Sequence, residues 1–345
     1  MKSKSDRLSP GALALLVLVL AGTMLLCICV GSVSISPADT LRVLLCALLR
    51  RPMPEGVSAN IILNVRLPRV VNVALVGAAL SLCGAAMQGL LRNPLADGST
   101  LGVSSGASLG AVLALALGVT LPGTAFGGTM LLAMIFAFLS LMLILALAYA
   151  LDRSLATNSI ILIGVIFSMF ASSVMSLIIS FSGDKLRSIT FWTMGSLSGT
   201  GFAHARVLAA ALLICGAAVL AHARELNAMA IGEDDARHVG VNVRRVKLTL
   251  MIAVSVLIGV CVSVGGTIGF VGLVVPHMAR MIVGPNHGRL LPASMLAGAI
   301  FLLLSDLAAR TLLRPIELSI GVVTSLVGAV AFVLIFFRTR RAARC

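Results

Sequence analysis

What most limits this chain is where its charges are missing. Residues 8–38, 70–91, 98–151, 154–183, 207–223, 248–279, 290–305 and 318–337 contain no Asp, Glu, Lys or Arg. A helix needs about 20 apolar residues to cross the hydrocarbon of a bilayer. The run 98–151 therefore holds two helices, broken near Leu121-Pro122-Gly123. The run 248–279 holds one full helix, a break at Gly265-Gly266, and the start of a short second one. Spans are predicted at 11–31, 68–91, 100–118, 128–150, 158–181, 203–222, 245–265, 270–284, 290–309 and 319–337. The expected fold is an all-α polytopic membrane protein of about ten transmembrane helices, in a single transmembrane domain over residues 1–345.

Only 11% of the 345 residues are charged, against roughly 25% in soluble domains. The deficit runs through the whole chain, which excludes a soluble domain on an anchor. The net charge of +14 would suggest nucleic acid on a soluble protein. Here the basic residues sit at segment ends, with no basic face interleaved with aromatics, so no nucleic-acid partner is expected. The seven cysteines form no CxxC pair and lie mostly in apolar runs. They read as small apolar residues, and no metal site is expected.

An even number of spans puts both termini on one side. Lys2, Lys4 and Arg7 at one end and Arg338, Arg340, Arg341 and Arg344 at the other make that side the cytoplasm. Ten basic residues then face outward: Arg42, Arg50, Arg51, Arg66, Arg69, Lys185, Arg187, Arg206, Arg310 and Arg314. That many exceptions call for a partner, or for another topology. Residues 188–202 read as an amphipathic outer segment carrying the chain's one tryptophan, Trp192.

Residues 224–247 form a polar island between apolar runs, with four of the chain's twelve acids: Glu225, Glu233, Asp234 and Asp235. It reads as two short helices, 228–231 and 234–239, broken at Gly232. The acids sit where a helix N-terminus favours negative charge, with Arg237 and His238 near its end. Ion-driven transporters place carboxylates near mid-membrane. Only Asp306 could lie there, and Arg310 one turn away makes a structural pair the simpler reading. Energy must then come from outside the chain, through the island, although an ion-coupled secondary transporter stays open as the alternative. No HExxH, paired intramembrane aspartates or GxSxG supports an enzyme. His277, after Pro276, reads as a polar cap at a helix start.

Longer motifs carry a resemblance. Arg66-Leu-Pro-Arg69, Gly77-Ala-Ala-Leu-Ser81, residues 88–96 (Gln-Gly-Leu-Leu-Arg-Asn-Pro-Leu-Ala) and Leu101-Gly-Val-Ser-Ser-Gly-Ala107 resemble the first half of the FecCD-type permeases. Residues 232–240 (Gly-Glu-Asp-Asp-Ala-Arg-His-Val-Gly) resemble that family's cytoplasmic coupling helix. Residues 269–280 and 317–324 resemble its second half. Residues 1–59 share only its general character.

The resemblance implies the permease of a type II ABC importer in a bacterial inner membrane. A second copy of the chain would flank a central pathway. Two ATPase subunits would hold ATP and Mg²⁺, since this chain has no GxxxxGK[ST] loop and is expected to bind no cofactor. A periplasmic binding protein would deliver the cargo. Arg66, Arg69, Arg310 and Arg314 would receive that protein's carboxylates. Asn93, Leu95, Thr157 and Asn158 would close a cytoplasmic gate, with Pro94 fixing the turn because it cannot continue a helix. Ala228, Ile231, Gly232, Glu233, Asp234, Asp235, Arg237, His238 and Gly240 would couple to the ATPase. The cargo implied is heme or a ferric siderophore. Residues 184–197 favour heme, Met169, Met175 and Met194 would suit a planar apolar ligand, and vitamin B12 is the alternative.

Overall fold

The computed structural model describes residues 8–31, 35–52, 57–121, 127–152 and 157–342. Ten helices coincide with the predicted spans: α1 (Pro10–Cys29), α4 (Leu67–Leu90), α5 (Val103–Leu117), α6 (Gly128–Leu151), α7 (Thr157–Ser180), α9 (Phe202–Ala221), α12 (Val243–Gly265), α13 (Val271–Val283), α14 (His287–Thr311) and α15 (Ile320–Ala342). Five shorter helices stand between them: α2 (Pro37–Leu48), α3 (Val57–Asn60), α8 (Leu186–Thr193), α10 (Ala223–Ile231) and α11 (Glu233–His238). Seven of the long helices have the length and composition to cross a bilayer alone; α5 and α13, with 15 and 13 residues, are shorter.

Three boundaries differ from expectation. The first span ends at Cys29, and the chain then builds α2, which starts at the end of the charge-free run and carries Asp39 and Arg42. The second span starts earlier, because a π turn over Ile61–Arg66 joins α3 to α4 and makes one apolar helix from Ile61 to Leu90. The outer segment is helical only over α8 and is held by Lys185, whose ammonium donates to the Ala116 carbonyl at 2.9 Å, at the end of α5. Lys2, Lys4 and Arg7 of the N-terminal tail lie outside the described residues, as do Pro122 and Gly123 of the predicted break.

α4 is the centre of the bundle and is buried along nearly its whole length. α14 crosses it where Gly77 meets Gly298, and α13 crosses it where Gly84 meets Gly272; a methyl group at either position would overlap the opposing carbonyl. Such crossings drive helix association where lipid removes the hydrophobic contrast. The α13 crossing carries a second device. Pro276 has no amide, so the Gly272 carbonyl loses its normal helical donor. Gln88, one turn below Gly84, donates from Nε2 to the carbonyls of Gly272 at 3.4 Å and Leu273 at 3.1 Å. Its Oε1 accepts from Arg280 at 3.5 Å.

His277 lies inside α13 and not at its start, because the helix begins at Val271. Its ring faces Phe332 of α15, with centroids 6.4 Å apart, which replaces the cap expected for it.

Candidate functional site

The polar island folds as α10 and α11, separated by Gly232 in extended backbone. α10 starts at Ala223, five residues before the expected 228, since Leu226 and Met229 bury themselves against the bundle. α11 opens with three acids where its N-terminal amides favour them. It closes on Gly240, whose positive φ lets its amide reach the Arg237 carbonyl and the Val241 amide reach that of Ala236, both at 3.0 Å.

Each short helix is tied to a different part of the bundle. In α11, Glu233 turns inward: its Oε1 lies 2.7 Å from Nζ of Lys247 and accepts from the Thr157 hydroxyl at 3.3 Å. Lys247 belongs to α12 and is only 1% exposed; Thr157 begins α7. One carboxylate therefore joins three helices. In α10, Asn227 Oδ1 accepts from both the backbone amide and Nδ1 of His287 at the head of α14, each at 2.8 Å. That ring is buried. What remains outside is a short strip: Ile231 and Val239 are 77% and 73% exposed, with Asp234, Asp235, Arg237 and His238 exposed between them. Arg237 bridges Asp234 at 2.7 Å and so stiffens the strip.

At the opposite end of the bundle, the arginines expected on the surface lie mostly inside. Arg66 is 5% exposed and donates to the carbonyls of Ile28 and Cys29, both at 2.9 Å. Arg310 is 4% exposed and donates to Cys27 and Val30. Together they cap the last turn of α1, whose final carbonyls have no partner within the helix. Arg69 binds Asp306 at 2.9 Å and Glu317 at 3.0 Å, and Arg310 binds the other Asp306 oxygen at 2.9 Å. Asp306 is thus a buried carboxylate shared by two arginines. Of the four arginines expected to dock a partner, only Arg314 is exposed. Arg66 and Arg310 are buried in this structure, and Arg69 is partly so.

A family profile described as the FecCD transport family matches residues 16–338. The chain belongs to that family. An uncharacterized ABC transporter permease protein, YvrB of Bacillus subtilis, is 48% identical, covering 83% of this chain and 81% of its own length. The hemin transport system permease protein HmuU of Yersinia pestis is 39% identical, covering 81% of this chain and 84% of its own. The vitamin B12 import system permease protein BtuC of Salmonella typhi is 38% identical over 95% of both chains. Among solved structures, an inward-facing conformation of a metal-chelate type ABC transporter matches with a TM-score of 0.84 at 32% identity, covering 96% of this chain and all of the other. This FecCD chain is therefore an integral membrane permease of an ABC importer and belongs to a transport assembly, not to a class of enzymes.

Within this FecCD permease, the residues expected at the gate are placed unequally. Asn93 serves its own turn: its Oδ1 accepts from the Leu95 amide at 2.9 Å, and the chain ahead of it turns through Arg92 at φ 48°. Leu95 and Asn158 are exposed. Thr157 is bound to the island through Glu233. Nearby, Ser104, Ser105, Ser108, Ser172 and Met175 line a cavity of about 310 Å³ that also reaches Asp97. Met169 and Met194 lie elsewhere and are exposed.

The anchors Lys247, Asn227 and His287 were not singled out in the sequence. For Lys247 a signal existed: it shares a helix face with Val243, Val246 and Leu250, all of which are buried.

Proposed function

We propose that this permease works as a dimer of identical chains in a bacterial inner membrane and imports a metal-bearing organic chelate, with heme and cobalamin the leading cargoes. Two ATPase subunits holding ATP and Mg²⁺ engage the strip Ile231, Asp234, Asp235, Arg237, His238 and Val239. A short helix with a mixed apolar and charged face fits a groove on a soluble partner. The carrying observation is the Glu233 carboxylate, bound to Lys247 of α12 and Thr157 of α7. Displacement of α11 by an ATPase is then felt by two membrane helices, one of which starts at the proposed gate of Asn93, Leu95, Thr157 and Asn158.

A periplasmic binding protein delivers the cargo to the opposite face, where Arg314 is the arginine available to meet it. Heme and cobalamin stand level as cargoes because permeases named for each are 39% and 38% identical. A ferric siderophore belongs to the same chemical class. The test is ATP hydrolysis and uptake in liposomes holding the full complex, with the binding protein loaded in turn with heme, ferric siderophore and cobalamin. One cargo should stimulate both activities together. Uptake that continues without ATP and collapses with an uncoupler would overturn the proposal in favour of ion-coupled transport.

A further inference from the structure

α2 is a formed element with both ends fixed. The Ser36 hydroxyl accepts from the Asp39 amide at 3.3 Å and Pro37 occupies the first turn. At the other end Arg50 takes a positive φ, and the Arg51 amide donates to the Cys46 carbonyl at 2.9 Å. Its residues divide into three stripes at helical spacing. Thr40, Val43 and Ala47 face the protein: Thr40 and Val43 are fully buried, and Val43 packs in one cluster with Cys27, Ile28 and Ile62. Leu41, Leu45 and Leu49 form a second stripe and are 49%, 46% and 57% exposed. Asp39 and Arg42 lie on a third, exposed edge, followed by exposed Arg50 and Arg51.

Water has no use for a leucine stripe, and a span through hydrocarbon has no use for the arginines. The helix is next in the chain after α1, against which it packs and which carries Leu15, Leu18, Leu25 and Leu26, all exposed. The Leu41–Leu45–Leu49 stripe continues that lipid-facing flank. Three guanidinium groups against one carboxylate match the phosphates of a headgroup layer.

We infer that α2 lies in the headgroup region of the leaflet opposite the island, with phospholipid covering Leu41, Leu45 and Leu49. It fixes the depth and rotation of α1, against which it packs. One side of α2 meets protein, one lipid and one water.

The test uses the chain's single tryptophan. In a W192F background, Leu45→Trp, Leu41→Trp and Asp39→Trp are made in the full-length permease and reconstituted with lipids brominated either near the headgroup or near the acyl-chain ends. Trp at 45 and at 41 should be quenched about twofold or more by the shallow bromines, less by the deep ones, and little by aqueous iodide. Trp at 39 should show the reverse preference for iodide. The two leucine positions test one face, so failure of one variant to insert leaves the other decisive. Iodide quenching at 41 and 45 with no lipid quenching would overturn the inference. So would shielding from iodide that arises only when binding protein or a second copy of the permease is present, which would assign the face to that protein.

Discussion

Lys247 is the residue on which the island turns. It is buried, and its ammonium lies 2.7 Å from the Glu233 carboxylate. Removing one member of a buried ion pair leaves the other uncompensated, a loss of about 3 kcal/mol when burial is complete. Glu233 is partly solvated, so the stability cost of Lys247→Met should be smaller, and the main loss should be in coupling. Cargo-stimulated ATP hydrolysis in liposomes is expected to fall about tenfold, a difference near 1.4 kcal/mol, while the chain still inserts. The exchanged pair Glu233→Lys with Lys247→Glu should recover part of it. Failure of the exchange alongside intact membrane insertion would show that the pair is mere packing. The arginines at the other end separate in the same way. Arg66→Ala should lower the melting temperature in detergent, because two carbonyls at the end of α1 lose a charged donor worth about 1.5–3 kcal/mol. Arg314→Glu should leave melting unchanged and weaken binding-protein docking a few-fold at low salt, as a surface pair of about 0–1 kcal/mol would. Unaltered docking at low salt would remove Arg314 from that surface.

At the scale of elements, the crossing of α4 and α13 is the most sensitive contact. Gly84→Val should abolish monodisperse protein in size-exclusion chromatography, since the added carbons overlap the Gly272 carbonyl. Gly22→Val on α1 meets open space and should behave as the unaltered chain. The Pro276 defect allows a sharper experiment. Gln88→Leu leaves the Gly272 carbonyl without its side-chain donor, at a cost of about 1–3 kcal/mol for a buried unsatisfied group. Pro276→Ala restores an amide at that place, so the double variant should melt closer to the parent than Gln88→Leu alone. If the two losses simply add, Gln88 is not serving that carbonyl.

Over the whole molecule, the ten long helices and the two-part island were legible because membrane spans are set by the absence of charge, which a sequence displays directly. The helix at α2 was not legible. Its leucines are interleaved with Asp39 and Arg42 in a segment too short and too charged to span a bilayer, so the three-stripe pattern is plain only once Thr40 and Val43 are known to be buried. The buried arginines were hidden for a different reason. A basic residue at the end of a span ordinarily reaches for headgroups or a partner, and nothing local to Arg66 or Arg310 reveals that the partner is the end of α1. The anchors of the island depend on pairs far apart in sequence, Thr157 with Glu233 and Asn227 with His287. At this scale, neutralising Asp234, Asp235 and Arg237 together should leave a permease that folds and recruits lipid normally but no longer stimulates its ATPase when cargo is supplied, measured in the same liposomes.

The capped end of α1 also sets an order of events during synthesis. Helix α1 ends in four carbonyls, at Cys27, Ile28, Cys29 and Val30, that are served by Arg66 and Arg310, and the Cys27 thiol donates to the Leu303 carbonyl. Arg310 is translated 280 residues after Val30. The Ile28 and Cys29 carbonyls can be served as soon as Arg66 is made, whereas those of Cys27 and Val30 gain their donor only when α14 arrives. A nascent chain stalled before α14 should leave α1 open to proteases or to retranslocation, and one stalled after it should not.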